Sequence, residues 1–247
     1  MSPDAPQGPT RPIPAHLLGD PTERQARLRE IVGDMAAPTA DMDPRSAEDV
    51  DERRRRAMDT LQDTIPNLYT WARFKDPKLA ERVGDAAEWA SANAVWRQPR
   101  LIFMGVARAG KTSLAVACLR RWVRESGRAA GFFHAFQLGT ARIQHPAGRG
   151  EAELIAQAMR FPLALLDDVG SERDSAGNGL PDVIFARHAE DMPLWITTGL
   201  TRRQLGVRYG TGIVGRLFER SMVIPVSHRG VGDGDSNDRP PFGGRPR

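Results

Sequence analysis

The most constraining feature of this chain is one eight-residue segment. Residues 105–112 read Gly-Val-Ala-Arg-Ala-Gly-Lys-Thr and fit the pattern G-x-x-x-x-G-K-[ST]. An unbroken apolar run, 101–104, precedes the segment, and Leu114, Cys118 and Trp122 recur at helical spacing after it. A glycine-rich turn between a strand and a helix presents free backbone N–H groups and the positive end of the helix dipole. The segment therefore predicts a phosphate-binding loop.

Each polar residue of this loop has an expected task. Lys111 is one of only three lysines among 35 lysines and arginines, and we expect its ammonium to reach the β- and γ-phosphates of ATP. The Thr112 hydroxyl is expected to ligate Mg²⁺. The alternative is a glycine-rich turn beside a surface lysine. The residues predicted to contact the nucleotide here are Gly105, Val106, Ala107, Arg108, Ala109, Gly110, Lys111, Thr112 and Ser113.

A second acidic site follows downstream. The apolar run 163–166 ends in Asp167 and Asp168. Carboxylates at the end of a central strand can hold Mg²⁺, here through Asp167, and orient an attacking water, here through Asp168. This pair favours hydrolysis of ATP over storage of nucleotide. In the alternative interpretation the same residues are an ordinary strand-to-loop turn.

Apolar runs separated by helical or loop segments set the expected fold class. The runs are Leu101–Met104, Gly131–Phe136, Leu163–Leu166, Leu194–Ile196 and Met222–Val226. This alternation predicts an α/β protein of the P-loop NTPase type with a doubly wound, parallel, five-stranded sheet. Ligands of such sheets bind at the carboxyl ends of the strands.

Composition limits the remaining possibilities. A chain of 247 residues can build one substantial core with extensions. It has no run of about 18 apolar residues and no signal-like start, so we expect a soluble cytoplasmic protein with no membrane partner. The single cysteine, Cys118, excludes an internal disulfide, and we expect it to be buried. The formal charge of +4 suits an anionic partner without identifying nucleic acid.

The amino-terminal third is expected to be an extension. Residues 1–20 are proline-rich and predict a flexible tail, and 21–65 predict a helical partner-binding extension, with helices near 22–35 and 46–65. The apolar stripe of the second helix could dock on the chain's own fold or on another protein. Its arginine run, 53–56, could be a solvated face or a nucleic-acid contact. A further helix is predicted at 79–94, the core at 66–228, and a flexible tail at 229–247.

Three further segments carry a resemblance to a known family. They are Asp167–Glu172, Pro193–Leu200 and the stretch Tyr209-Gly210-x-x-x-x-Gly215-Arg216-Leu217. Their order and spacing resemble the DnaC/IstB-like AAA+ ATPases, a group of helicase loaders and transposition helpers, over about 101–229. The resemblance implies that Thr198-Gly199 is the sensor 1 turn, with Thr198 among the catalytic residues. It also implies that Arg216 is the arginine finger, that Arg229 resembles sensor 2, and that no large carboxyl-terminal lid follows.

Two positions depart from the family pattern. Where Gly199 stands, the family usually has an asparagine that helps to position the attacking water. Either the Thr198 hydroxyl substitutes for that amide, or turnover is slow and the protein acts chiefly as an ATP-dependent switch. Where Arg108 stands, the family commonly has glycine, so we expect a tighter loop backbone with a guanidinium near the nucleotide or a neighbour.

The resulting hypothesis is an ATP- and Mg²⁺-dependent helicase loader. It would form an ATP-dependent homo-oligomer on single-stranded DNA and deliver the replicative DNA helicase, which the amino-terminal helices would hold. Three alternatives stay open: a transposition helper on duplex DNA, a regulatory module that holds nucleotide without useful hydrolysis, and a small-molecule kinase with a lid carrying Arg142, Arg149 or Arg160. Arg216 could instead pair with Glu219 or Asp182, and Arg229 could likewise form an ordinary ion pair.

Overall fold

The computed structural model describes residues 47–146, 148–172 and 179–227. The predicted features in 1–46, and Arg229 with the predicted tail after it, lie outside these ranges. The helices are α1 (Ala47–Thr64), α2 (Pro77–Val83), α3 (Asp85–Ala92), α4 (Lys111–Ser126), α5 (Ala135–Gln144), α6 (Glu153–Arg160), α7 (Gly179–Ala189), α8 (Arg202–Tyr209) and α9 (Thr211–Phe218). The strands are β1 (Arg100–Met104), β2 (Ala130–His134), β3 (Leu163–Asp167), β4 (Leu194–Thr198) and β5 (Met222–Pro225).

These strands form one parallel sheet in the order β2-β3-β4-β1-β5. Strand β1 lies between β4 and β5, and its last residue, Met104, pairs with Thr198 of β4 and Pro225 of β5. On the far side His134 of β2 pairs with Asp167 of β3. The phosphate loop, the acidic pair and the sensor turn therefore lie at one edge of the sheet. The predicted doubly wound α/β architecture is confirmed.

Side chains along each strand point alternately to the two faces of the sheet, and helices cover both faces. Leu101 and Phe103 point to the face covered by α1, α2, α3 and α4. Ile102 points to the opposite face, where α5 to α9 pack. Cys118 of α4 is fully buried in the first layer, as predicted, and burial raises the pKa of its thiol. The continuous apolar runs of the strands follow from this burial on two sides.

Helix α1 packs against the sheet's own core. Ala57, Leu61 and Ile65 are buried in the same cluster as Leu101. The Thr64 hydroxyl accepts a hydrogen bond from the backbone N–H of Phe132 on the edge strand β2, at 3.1 Å. Of the two alternatives for this apolar stripe, the structure shows docking on the chain's own fold.

The outer face of α1 carries the arginine run. Its arginines pair within the helix: Arg54 with Asp51 at 3.3 Å, Arg55 with Glu52 at 2.5 Å and Arg56 with Glu52 at 2.8 Å. Hydrogen bonds from Arg55 and Arg56 lower the pKa of Glu52. These contacts favour a solvated, internally paired surface over a nucleic-acid contact. No helix in the described ranges is long and apolar enough to cross a membrane.

Two local expectations were wrong. The helix predicted at 79–94 is two helices, because Gly84 has a φ of 56° and ends α2. Strand β2 stops at His134, and Phe136, part of the predicted apolar run, is 45% exposed on α5.

Arg120 of α4 is buried, and its guanidinium donates a hydrogen bond to the carbonyl oxygen of Thr70 at 3.2 Å. Burial lowers its pKa to about 10.

Candidate functional site

The phosphate loop joins β1 to α4 in a conformation that its glycines permit. A Cβ on Gly105 would lie 2.0 Å from the carbonyl oxygen of Val226, so no larger residue fits there. Gly110 has a φ of 91° and caps the amino end of α4. Arg108 also has a positive φ, 65°, which costs a non-glycine residue about 1 kcal/mol. The departure from glycine at Arg108 therefore leaves local strain in the loop.

Lys111 begins α4 and is only 7% exposed. Its Nζ donates a hydrogen bond to the carbonyl oxygen of Val106, 2.8 Å away, so the ammonium is held against the backbone of the loop. Burial lowers the pKa of Lys111, and the negative charges of Asp168 and Asp167 oppose that shift. The predicted phosphate-binding cation and the predicted acids thus share one electrostatic environment.

Thr112 and Asp167 are in direct contact. The Thr112 hydroxyl donates to Asp167 Oδ1 at 2.8 Å, and the Thr197 hydroxyl donates to the same oxygen at 2.7 Å. His134 Nδ1 lies 3.5 Å from Asp167 Oδ2, and the carboxylate is 3% exposed. Three strand ends and the first turn of α4 therefore fix the orientation of this carboxylate.

The donor set of this cluster fits a magnesium ion. Mg²⁺ prefers hard oxygen ligands and binds proteins through one or two carboxylates together with phosphate oxygens. The Thr112 hydroxyl and the Asp167 carboxylate are such ligands, and they lie beside the loop that follows β1. These two residues could hold the ion, as predicted from the sequence.

Asp168 differs from its neighbour in exposure and backbone conformation. It is exposed, and its φ of 60° places it in the left-handed region, which aspartate tolerates better than most residues. Its backbone N–H donates to the Thr197 hydroxyl at 2.8 Å. One carboxylate of the acidic pair is thus buried beside Thr112, and the other is turned toward solvent at the same sheet edge.

The sensor turn is held tightly against the loop after β3. Thr198 is fully buried, and its hydroxyl donates to the carbonyl oxygen of Val169 at 2.6 Å. The Thr198 hydroxyl oxygen in turn accepts a hydrogen bond from the backbone N–H of Leu200 at 3.1 Å. The single proton of this hydroxyl is therefore engaged within the turn. A Cβ added to Gly199 would have the carbonyl oxygen of Gly105 as its nearest neighbour, at 3.8 Å.

Arg216 lies away from this site. Its guanidinium stacks on the ring of Phe185 at 4.4 Å and donates to Gly212 O at 2.8 Å. Its own carbonyl oxygen accepts from Arg100, the first residue of β1, whereas the phosphate loop follows the last. The expected ion-pair partners are engaged elsewhere, since Asp182 binds Arg142 and Glu219 binds His188. Arg216 therefore lies near the amino end of β1, whereas the predicted phosphate loop follows its carboxyl end.

Arg142, the first arginine of the kinase alternative, is held by acidic side chains. Its guanidinium forms ion pairs with Glu151 and with Asp182 of α7. Hydrogen bonding to Glu151 raises the pKa of Arg142. These contacts fix Arg142 on the helical layer and do not favour a mobile lid.

The sequence patterns did not reveal three residues of this site. Thr197 and His134 each end or nearly end a strand, so the rule for carboxyl ends of parallel strands could have found them. Tyr69 could not have been found in that way, because it lies in the short 3-10 turn after α1. Burial raises the pKa of Tyr69, a hydrogen bond with Thr112 opposes the shift, and the Asp167 charge reinforces it.

Comparisons with known proteins found similar solved structures but no matching family model or curated sequence. The DnaC helicase loader matches with a TM-score of 0.55 and 21% identity, covering 66% of this chain and 100% of that one. DnaI matches with a TM-score of 0.52 and 19% identity, covering 66% and 92%. AMPPCP-bound DnaA from Aquifex aeolicus matches with a TM-score of 0.49 and 18% identity, and the match covers 66% of this chain and 51% of that one.

At these identities the likeness concerns the fold alone. The match covers nearly the whole length of the DnaC and DnaI structures and 66% of this chain. The resemblance to DnaC/IstB-like AAA+ proteins is therefore confirmed at the level of the fold. The residues predicted to bind nucleotide lie at the carboxyl ends of the strands, where a parallel sheet of this kind binds its ligands.

Proposed function

We propose that this chain is a nucleotide-switched helicase loader that binds ATP with Mg²⁺. The observation that carries the proposal is the cluster of Thr112 and Asp167, 2.8 Å apart, beside the loop that ends in Lys111. When bound, Mg²⁺ would neutralise charge that develops on the phosphates. Lys111 would bind the phosphates, and Asp168, exposed at the same edge, would orient the attacking water.

Assembly is the second part of the proposal. Arg216 would complete the nucleotide site of a neighbouring copy in an ATP-dependent homo-oligomer. Its half-buried guanidinium, which stacks on Phe185 and has no acidic partner among the described contacts, supports this role. Single-stranded DNA would be bound through arginine–phosphate contacts, so the affinity of the protein for this DNA should fall as the salt concentration rises. Residues before α1 would hold the replicative helicase, because the apolar stripe of α1 itself is used internally.

Two measurements separate this function from its alternatives. The first compares binding to single-stranded and duplex DNA with Mg²⁺ and ATP, because preference for duplex favours the transposition helper. The second is recovery of a replicative helicase by the full chain and by a chain lacking residues 1–44, which leaves α1 intact. Loss of recovery on deletion supports the loader. Undiminished recovery of the helicase after the deletion contradicts the loader function. A chain that binds ATP but releases no phosphate when DNA is added contradicts it as well.

The regulatory alternative has one observation in its favour, and it leads to a prediction. The Thr198 hydroxyl proton is donated to the carbonyl oxygen of Val169, and Gly199 has no side chain, so neither side chain of the Thr198-Gly199 turn has a free proton to donate to the attacking water. We expect Gly199→Asn to raise ATP turnover about tenfold, because one well-placed polar group at a reacting centre is worth that much or more. A Cβ at this position would make only an ordinary contact, with the carbonyl oxygen of Gly105 at 3.8 Å.

The measurement is single-turnover hydrolysis with saturating ATP. Gly199→Ala is the matched control, since it adds the Cβ without the amide and should leave turnover near that of the unaltered chain. If Gly199→Asn binds ATP normally and hydrolyses it no faster, the turn does not limit turnover. Slow hydrolysis would then have to originate at another position of the site.

A further inference from the structure

Glu172 ends the acidic motif and is buried, with 6% exposure. Its Oε2 accepts a hydrogen bond from the backbone N–H of Gly170 at 3.0 Å. The Tyr209 hydroxyl donates to Oε1, and the Arg208 guanidinium lies 3.6 Å from that oxygen. Arg208 also donates to the backbone carbonyl of Glu172. We call these three residues, Glu172, Arg208 and Tyr209, the Glu172 cluster.

The cluster is built to keep its charges paired. Burial and the neighbouring Glu172 carboxylate raise the pKa of Tyr209, so the phenol keeps its proton and donates it. The Arg208 guanidinium lies 5.7 Å above the Tyr209 ring. A buried carboxylate is costly unless its oxygens are satisfied, and here both oxygens have partners. Displacing either side of the cluster would therefore leave a buried charge with fewer partners.

One side of the cluster is continuous with the nucleotide site. The loop between Asp168 and Glu172 is bonded to the end of β4, since Val169 N–H donates to Thr197 O at 2.8 Å. A Cβ on Gly170 would lie 2.4 Å from Leu200 Cδ1, so this loop packs closely on the sensor turn. Movement of the acidic loop or of the sensor turn would consequently move Glu172.

The other side of the cluster is continuous with Arg216. Arg208 and Tyr209 are the last two residues of α8, and Gly210 alone separates that helix from α9. Arg216 lies in the last turn of α9. The two helices pack against each other, and α9 packs on α7, where Phe185 holds the Arg216 guanidinium. Glu172 is thus the buried polar connection from the acidic loop to the helix pair that carries Arg216.

We propose that Glu172 is a positioning residue that couples the nucleotide state of a chain to the placement of Arg216 on the same chain. The proposal rests on the proposed function, in which Arg216 serves a neighbour. A change in the loop carrying Asp168 would pass through Glu172 to α8 and α9. Each subunit would then offer its arginine to the next site only when its own site holds nucleotide, which orders assembly along the oligomer.

Hydrogen exchange on the full chain tests this coupling without requiring hydrolysis. The chain is kept at a concentration where sedimentation shows a monomer, with and without Mg²⁺ and a non-hydrolysable ATP analogue. We expect the analogue to slow amide exchange in 202–218 by about threefold or more in the unaltered chain. Glu172→Gln should bind the analogue with similar affinity and lose that protection.

Two variants keep the result interpretable. Tyr209→Phe removes only the hydroxyl that Glu172 accepts from, so it should reduce the protection in 202–218 even if Glu172→Gln folds poorly. Glu190→Gln neutralises an exposed glutamate at the end of α7 and should retain full protection.

The outcomes separate this inference from the proposed function. The inference is overturned if Glu172→Gln and Tyr209→Phe keep the full protection. It is also overturned if the unaltered chain binds the analogue without any response in 202–218. Failure of the unaltered chain to bind the analogue in a separate titration overturns the proposed function, and the coupling with it.

Discussion

Arg216→Ala should bind ATP as tightly as the unaltered chain and hydrolyse it about 10³-fold more slowly, even at concentrations that favour assembly. The reason is geometric. Arg216 lies beside the amino end of β1, and the phosphate loop follows the carboxyl end, so the guanidinium cannot stabilise charge at its own site. Its loss removes a transition-state contact from the neighbour's site and leaves ground-state binding intact.

Mixing two inactive variants provides the decisive measurement for Arg216. Asp168→Asn loses the water-orienting carboxylate but keeps its arginine, whereas Arg216→Ala keeps its acids but lacks the arginine. Mixed under assembling conditions, the two should recover hydrolysis, because some interfaces combine the intact half of each. Phosphate release that stays at the level of the separate variants would argue against shared sites.

The matched control for Arg216 is a nearby arginine with a different contact. Arg220 is exposed just beyond α9 and pairs with Asp191 at 2.7 Å. Arg220→Ala should hydrolyse ATP at close to the unaltered rate. Arg216→Lys should recover only part of the activity, since an ammonium lacks the planar fork that binds phosphate oxygens in two places.

Lys111→Ala should lower the affinity for ATP by about 100-fold, which corresponds to about 3 kcal/mol. Hydrogen bonds to charged groups contribute about 1.5–3 kcal/mol each, and the buried position of Lys111 limits screening by water. Titration of a fluorescent ATP analogue in the presence of Mg²⁺ measures the change. Circular dichroism with thermal unfolding shows whether the variant is folded.

A second lysine serves as the control for Lys111. Lys78 is exposed on α2, and Lys78→Ala removes the same charge from the chain as a whole. Its affinity for ATP should stay within about twofold of the unaltered value, because solvent and salt screen an exposed charge. Equal losses in both variants would show that net charge, and not the position of Lys111, sets the affinity.

The sequence predicted the parts of this fold that depend on local patterns. Apolar runs located β1, β3 and β4, and the loop motif located Lys111 and Thr112 at the strand-to-helix junction. Asp167 followed because the carboxyl ends of parallel strands share one edge of the sheet. The contact between Thr112 and Asp167 spans 55 residues and is what this rule leads one to expect.

Contacts that depend on tertiary packing were not predictable in this way. Tyr69 reaches the Thr112 hydroxyl from a turn after α1, and nothing in its neighbouring sequence indicates that position. The pairing of Glu172 with Tyr209 joins two motif segments whose individual patterns carry no information about each other. The burial of the Arg120 guanidinium was also not predictable, because it depends on a contact with the carbonyl oxygen of Thr70, 50 residues away in the chain. The end of α2 at Gly84, in contrast, was indicated by the glycine itself, but the helical spacing of the apolar residues around it obscured that signal.

The hydrogen bond between Thr64 and Phe132 has a consequence for how copies of this chain can associate. An uncovered outermost strand is a template for strand addition and aggregation, since its outward N–H and C=O groups lack partners. Here α1 lies along β2 and satisfies one of those outward N–H groups. Polymerisation by continuing the sheet from one molecule to the next is obstructed on that side. A ring or filament that joins β2 of one copy to β5 of the next is therefore disfavoured, and head-to-tail assembly would instead use helices and loops.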